Sequence, residues 1–243
     1  MLVFACISPH PPIILPNVGS EADRAQVKKT ILALEKLGKQ LSKEKPEVIV
    51  ISSPHPDWGI EVPLHFLVQS APASPSEAGR ANLRPELRSR ERKVQSYISA
   101  DSIGNWKLEI GNSAVFPILT TLDPPKQHFL WGKKFAQEVP QKLRWAWVAS
   151  GDMSHRLKEN GPYGLHPSGP KFDREFIERL KKKDISGILN LPERLVEEAG
   201  ECGLRSFCML LGALERAKVS WKPEIFSYEG PFGVGYLVAK LYG

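Results

Sequence analysis

The sequence of 243 residues lacks several features that would point to a function directly. Its three cysteines are few and odd in number, which argues against a disulfide framework and makes a reducing cytoplasm the expected compartment. No apolar run reaches the length of a transmembrane helix, and the N-terminus lacks the basic segment and cleavage site of a signal peptide. Neither a P-loop nor a Rossmann glycine fingerprint is present, so nothing indicates a nucleotide site of either kind.

The composition is that of an ordinary globular protein, with 42% hydrophobic and 25% charged residues. The length fits one large α/β domain over residues 1–243. The net charge of +6 does not indicate a nucleic-acid partner, because the excess is concentrated in an Arg-rich stretch at 80–93 and in Lys181–Lys183. No aromatic residues alternate with these charges in a way that would stack on bases.

Strand and helix patterns alternate along the chain. Apolar strands are predicted at 2–7, 47–52 and 145–149, and apolar residues spaced by three and four predict a helix over 20–43. The first two strands should therefore be parallel members of one sheet. Further strands are predicted at 63–69, 93–99, 114–119, 222–228 and 233–241, with helices at 126–138, 171–183, 184–199 and 203–217 and a surface excursion at 70–92.

Three apolar strands run directly into polar motifs that contain histidine. Ser8-Pro9-His10 follows the first, Ser53-Pro54-His55 the second, and Ser150-Gly151-Asp152-Met153-Ser154-His155 the third. The carboxyl ends of parallel strands lie on one edge of an open α/β sheet, where such folds bind ligands. The three histidines should converge there, and two neutral imidazoles on stiff, proline-flanked mounts suit Fe(II), Zn(II) or Cu(II).

Sequence spacing does not determine which carboxylate would complete such a site. Glu229, beside a Gly-Pro turn at a strand end, could complete a facial triad with two histidines, and Asp152 and Glu201 are rivals. If the segment after the third strand begins a helix, Asp152 either caps that helix or orients the imidazole of His155.

The other histidines and the cysteines are weaker candidates. We interpret His65 as structural, His128 as a helix surface or boundary residue, and His166 as a loop residue that lines the pocket. Cys6 should be a buried apolar residue of the first strand. The spacing of Cys202 and Cys208 does not indicate a zinc site.

The motifs that begin at His10, Ser53, Ser150 and Tyr228 occur in an order that resembles the class III extradiol ring-cleavage dioxygenase family, of the LigB-like catalytic (beta) subunit type. The resemblance covers essentially the whole chain. It implies a single-domain three-layer αβα sandwich with a mostly parallel or mixed central sheet. The chain is also similar to the dioxygenase-like half of AMMECR1-linked proteins and, more distantly, to Memo proteins.

The resemblance also implies a site. His10, His55 and Glu229 would bind a non-haem Fe(II), and His155 would be the acid–base residue, with Asp152 beside it. The substrates would be a small catechol-like aromatic diol and O2. We assign Pro12, His166 and Tyr228 to the substrate pocket.

Three alternatives to ring cleavage remain. The chain could be a Memo-like protein that binds zinc or copper without ring cleavage and acts with an AMMECR1-type or radical-enzyme partner. It could be a metallohydrolase that uses the same ligands. A nucleic-acid-binding module would rest on the pI alone. No membrane partner is indicated, and a homodimer is the default expectation for oligomeric state.

Overall fold

The computed structural model describes residues 1–67, 108–110 and 113–243. Across these residues the strands form one mixed sheet in the order β3-β4-β2-β5-β1-β7-β6. Neighbouring strands among β4, β2, β5 and β1 are parallel, whereas β3, β7 and β6 pair antiparallel with their neighbours. The strands are β1 Leu2–Ser8, β2 Val48–Ser53, β3 Leu108–Ile110, β4 Ser113–Leu119, β5 Trp145–Ser150, β6 Glu224–Glu229 and β7 Tyr236–Tyr242.

Helices cover both faces of this sheet. The side chains of β5 show why, because Trp145, Trp147 and Ala149 enter one hydrophobic core while Ala146 and Val148 enter the other. The first core is closed by α4 Pro125–Glu138, α5 Ser168–Lys181, α6 Ile185–Leu189, α7 Glu193–Ala199 and α8 Leu204–Ala217. The second is closed by the 3-10 helix Pro12–Ile14, α2 Lys28–Glu44 and α3 Trp58–Leu67, with α1 Glu21–Gln26 leading into α2. The predicted three-layer α/β sandwich is confirmed, and its sheet is mixed.

The carboxyl ends of three central strands are aligned. Ser8 pairs in register with Ser150, and Ser52 pairs with Ala149. β1, β2 and β5 therefore end at one edge of the sheet, as the sequence predicted. The turn from β6 to β7 reaches the same edge, because β7 is antiparallel to β1 and β6 is antiparallel to β7.

Some local predictions are wrong. Of the strand predicted at 63–69, residues 63–67 are instead part of α3, and the other two lie outside the described residues. The β-branched residues Ile60 and Val62 of α3 are buried, so tertiary packing overrides their strand propensity. The helix predicted over 20–43 is divided at Val27 (φ −106°, ψ 17°). The segment that follows β5 does not begin a helix, so Asp152 caps none there.

The other predicted elements in the described residues are confirmed to within a few residues, and the 184–199 segment forms two short helices. The predicted excursion at 70–92 and strand at 93–99 lie outside the described residues. None of the described helices combines the length and the apolar character needed to span a membrane.

Candidate metal centre at the strand ends

His10 and His55 meet at the aligned strand ends, together with a residue that the sequence did not single out, Cys202. One ligand atom from each of the three lies within 4.8 Å of the other two. The imidazole rings of His10 and His55 are 5.2 Å apart between centroids, and His10 Nε2 is 3.5 Å from Cys202 Sγ. Donors around a tetrahedral Zn²⁺ with bonds of about 2.0–2.3 Å are roughly 3.5 Å apart, so the cluster matches the size of a metal site.

The sheet edge fixes the orientation of His10. Its Nδ1 hydrogen-bonds Ser150 Oγ at 3.0 Å, which leaves Nε2 directed to the side of Cys202. Its backbone N–H donates to Asp152 Oδ1 at 3.0 Å. Burial, and then the neighbouring His55, lower the pKa of His10 to about 3, so its imidazole is neutral and able to bind a metal. A ligand imidazole whose second nitrogen is hydrogen-bonded is the usual arrangement at protein metal sites.

Cys202 reaches the cluster because two backbones approach closely. A Cβ built on Gly151, just after β5, would lie 2.2 Å from the Cα of Gly203, so only glycine allows this contact. The Asp152 N–H then donates to Cys202 Sγ at 3.2 Å. The sequence contains one indication of this site, a cysteine placed between Gly200 and Gly203. Sequence spacing could not predict that this cysteine lies beside a histidine 192 positions away.

Asp152 and His155 lie beside the same thiol. A ligand atom from each is within 4.8 Å of Cys202 Sγ. His10 lies two residues after the end of β1, and His55 lies two residues after the end of β2. The residue two positions after the end of β5 is Asp152, so Asp152, rather than His155, occupies the corresponding position. Asp152 Oδ2 is 3.9 Å from His10 Nε2, so the predicted pair Asp152 and His155 is next to the candidate ligands.

Burial controls the charges in this cluster. It lowers the pKa of His155, an effect that nearby Asp152 opposes, and it raises the pKa of Asp152 to about 6. It also raises the pKa of the Cys202 thiol well above the ordinary value. A metal would have to displace that proton, because the thiolate is the form that coordinates.

Glu229 lies at the same edge of the sheet but makes different contacts. Its Oε1 accepts hydrogen bonds from Thr30 N at 2.9 Å and Thr30 Oγ1 at 2.6 Å. Thr30 is in the first turn of α2, where Val27 provides no side-chain cap, so Glu229 supplies the missing acceptor. Among the described residues, the groups of closely spaced ligand atoms do not include Glu229. Its role as a ligand stays a prediction.

The residues assigned to the substrate pocket are spread around the site. Pro12 begins the 3-10 helix that follows His10. Tyr228 is 40% exposed, and its hydroxyl donates to Asp173 Oδ2 at 2.5 Å. His166 Nδ1 accepts from the Ser168 N–H and lies 4.0 Å from Glu198 Oε2. The assignment of all three to a pocket remains a prediction.

The remaining histidines, Glu201 and Cys6 make contacts that belong to the packing of the fold. His128, predicted at a helix surface or boundary, lies in the first turn of α4 but is fully buried, and its Nε2 accepts from the Thr121 N–H at 3.1 Å. His65 contacts the ring of Phe66. Glu201 accepts from the Leu204 N–H at the start of α8, and burial raises its pKa to about 7. Cys6 is buried in β1, as expected.

The donor set fits a transition-metal ion. Two imidazoles and a thiol are donors to Zn, Cu and Fe, and Nε2 of the neighbouring His155 is buried without a hydrogen-bond partner in the described part of the chain. An α/β sandwich with such donors at its strand ends is the arrangement of a metal-dependent enzyme or metal-binding protein.

Comparison with known proteins agrees with this class. Residues 113–239, about half of the chain, match the family described as "Catalytic LigB subunit of aromatic ring-opening dioxygenase". The chain belongs to this family.

Two individual proteins are also similar. Protein CA_C1420 of Clostridium acetobutylicum is 30% identical over 264 residues, which include 96% of this chain and 56% of that protein, so the chain spans about half the length of this curated relative. The crystal structure of uncharacterized protein JW3007 from Escherichia coli K12 superposes with a TM-score of 0.47 at 14% identity, over 99% of this chain and 100% of that one.

Proposed function

We propose that the protein is a metal-dependent extradiol-type dioxygenase that opens the ring of a catechol-like aromatic diol with O2. The observation that carries the proposal is the meeting of His10 and His55 beside His155 at one sheet edge, in a chain that belongs to a family of ring-opening dioxygenases. His10, His55 and Cys202 would hold the metal. Iron(II) bound there would supply the redox chemistry that allows O2 to react with an aromatic diol.

His155 is the residue that would move protons. Burial lowers the pKa of its imidazole, so at neutral pH the ring is a base that accepts a proton from a substrate hydroxyl. The same group can return that proton later in the reaction. Nε2 is free to do so, because none of the described residues is hydrogen-bonded to it.

Asp152 would support His155 in this role. The charge of Asp152 raises the pKa of His155 and opposes the effect of burial, so it favours the imidazolium that forms on proton transfer. Its Oδ1 also accepts from the His10 N–H. The same carboxylate therefore interacts with His155, the proposed proton acceptor, and with His10, a proposed metal ligand.

The test is turnover of a catechol panel by protein loaded anaerobically with iron(II). We expect O2 consumption and a yellow ring-opened product from the wild type. His155→Gln should keep its iron and lose about hundredfold or more in rate, since general acid–base catalysis contributes at least that much. His65→Gln, a histidine of α3 that is outside the candidate ligand groups, is the matched control. A fully iron-loaded wild type without O2 uptake across the panel would refute the proposal.

Cys202 favours a second candidate, a Memo-like protein that binds zinc or copper without ring cleavage. A thiolate is a soft ligand that suits Zn and Cu(I), whereas oxygen-activating Fe(II) sites with two histidines more often include a carboxylate. Tight zinc or copper binding by the purified protein, together with no O2 uptake in the iron-loaded form, would support this candidate over the first.

A further inference from the structure

The ring of Tyr163 lies against the ring of His155. Their centroids are 5.1 Å apart and the ring planes are inclined by 30°, which is a stacked arrangement. Tyr163 nevertheless keeps 60% of its surface exposed. One face of the Tyr163 ring therefore covers the imidazole, while the other face is exposed.

The hydrogen bonding of His155 in the described residues fixes its backbone and not the plane of its imidazole. Its backbone is held by the hydrogen bond from His155 N to Ala199 O at 3.2 Å. No hydrogen bond to the ring itself is found within the described residues, and Nε2 is buried without a partner. Rotation of an imidazole about χ2 is only weakly restricted by its own torsional preference. A catalytic histidine is usually oriented by a hydrogen bond to its second nitrogen, and a stacked aromatic ring restricts the same rotation.

The loop that carries Tyr163 is tied to the sheet at its base. Leu157 and Leu165 form an antiparallel bridge, and the His166 N–H donates to Arg156 O at 3.1 Å. The Leu157 N–H donates to Gly233 O at 3.0 Å, which joins the loop to the turn between β6 and β7. Lys158 Nζ donates to Pro231 O of the same turn. Tyr163 is thus presented from a short loop closed at both ends.

We propose that Tyr163 is a positioning residue for His155: its stacked ring sets the plane in which the imidazole presents its proton-accepting nitrogen. The inference rests on the proposed function, because it is the acid–base role of His155 that makes the plane matter. The aromatic ring, and not the hydroxyl, is the active part of Tyr163.

Three variants distinguish the contribution of the Tyr163 aromatic ring from the contributions of its hydroxyl and of its side-chain volume. Tyr163→Phe keeps the stacked ring, Tyr163→Leu keeps apolar volume without it, and Tyr163→Ala removes both. The exposure of Tyr163 means that none of these changes affects either hydrophobic core.

The first readout needs neither metal nor turnover. Histidine ring signals are recorded by NMR on metal-free protein, with the His155 signals assigned from their loss in His155→Gln. We expect the His155 signals to shift in the Leu and Ala variants, because the ring current of Tyr163 is removed, and to stay in place in Tyr163→Phe. Unchanged His155 signals in Tyr163→Ala would overturn the proposal.

The second readout is steady-state kinetics of the iron-loaded protein. The Leu and Ala variants should lose about ten- to hundredfold in kcat with KM nearly unchanged, since small misplacement of a reacting group costs this much, and Tyr163→Phe should be close to the wild type. A rise in KM at constant kcat would mean that Tyr163 contacts substrate directly and would overturn the positioning role. A wild type that shows no turnover refutes the proposed function and with it the positioning role, whereas turnover that is unaffected by Tyr163→Ala overturns the positioning role alone.

Discussion

Cys202 and Glu229 are two of the residues that could complete a donor set with His10 and His55, and their contacts differ. Cys202 Sγ is 3.5 Å from His10 Nε2. Glu229 Oε1 is already an acceptor for two hydrogen bonds from Thr30. We therefore propose the thiol as the third ligand, and Glu229 as a residue that stabilises α2 through Oε1; the predicted ligand role of Glu229 is what the next experiment tests.

Paired substitutions distinguish these two roles. Cys202→Ser should weaken binding of zinc or iron(II) at least tenfold, because a thiolate donor is replaced by a weakly coordinating hydroxyl. Glu229→Gln should retain metal affinity but lower the free energy of unfolding by about 1 kcal/mol, because the amide oxygen still accepts from Thr30 and only the strengthening by the charge is lost. Calorimetric titration and urea unfolding measure the two effects, and each variant is the control for the other. Loss of metal from Glu229→Gln would restore the predicted triad.

The residue scale also shows the limits of the sequence. His10 and His55 could be predicted because each follows an apolar strand directly, and parallel strands bring their ends together. Cys202 could not, since it lies between two helices and reaches the site only through the contact of Gly151 with Gly203. Such a contact depends on how α8 packs against the sheet, which no local pattern encodes.

At the scale of elements, Asp173 joins α5 to the segment that carries His155. This buried carboxylate accepts from the Ser154 N–H at 2.8 Å through Oδ1 and from the Tyr228 hydroxyl through Oδ2. The Met153 N–H donates to Gly235 O, and the Gly235 N–H donates to Ser154 O. The segment is thus held in an extended form between α5 and β7, which explains why no helix begins there.

Asp173 should make stability depend on pH. Burial raises its pKa from 3.8 to about 6, so the folded protein keeps this proton at pH values where the unfolded chain has lost it. This contribution is complete below pH 3.8 and is lost as the pH rises through 6, a change of about 3 kcal/mol at ~1.4 kcal/mol per pKa unit. Urea unfolding at pH 4.5 and 7.5 should therefore show a smaller decrease for Asp173→Asn than for the wild type. Equal decreases in the two proteins would contradict the assignment.

Whether a segment forms a helix or a strand could be predicted where its residues favoured one of the two consistently. The spacing of Leu34, Leu37 and Leu41 predicted α2, and all three are buried. The sequence of α3 gave a conflicting signal, because Ile60, Val62 and Pro63 are each typical of other structures. Its burial against α2 and the sheet determines the outcome, and sequence periodicity does not contain that information.

At the scale of the whole molecule, the site is assembled from distant parts of the chain. Of its three candidate ligands, His10 follows β1, His55 follows β2 and Cys202 precedes α8, while the neighbouring Asp152 follows β5. No short segment contains the donor set, so an ion bound by all three ligands binds the folded chain and not the unfolded one.

Metal binding should therefore stabilise the entire fold. By mass action, zinc at a hundred times its Kd stabilises the native state by about 2.7 kcal/mol. We expect thermal unfolding of the metal-free protein to shift upward by about 5–10 °C on addition of zinc. Cys202→Ser should lose about half of this shift or more, since tenfold weaker binding halves the stabilisation. A wild type whose melting temperature does not respond to zinc would argue against a metal centre formed by the native structure.

The strand order has a consequence for how the chain is made. β1 lies between β5 and β7, so its two partners in the described sheet begin at Trp145 and Tyr236, far along the chain. β2 likewise pairs with β4 and β5, both of which follow it. During translation, β1 remains without its partner β5 until the ribosome has passed Trp145, and without its partner β7 until the ribosome has passed Tyr236. Such long-range pairing is slow, so the two Ser-Pro-His segments come together only after β5, which lies between their strands, has been made.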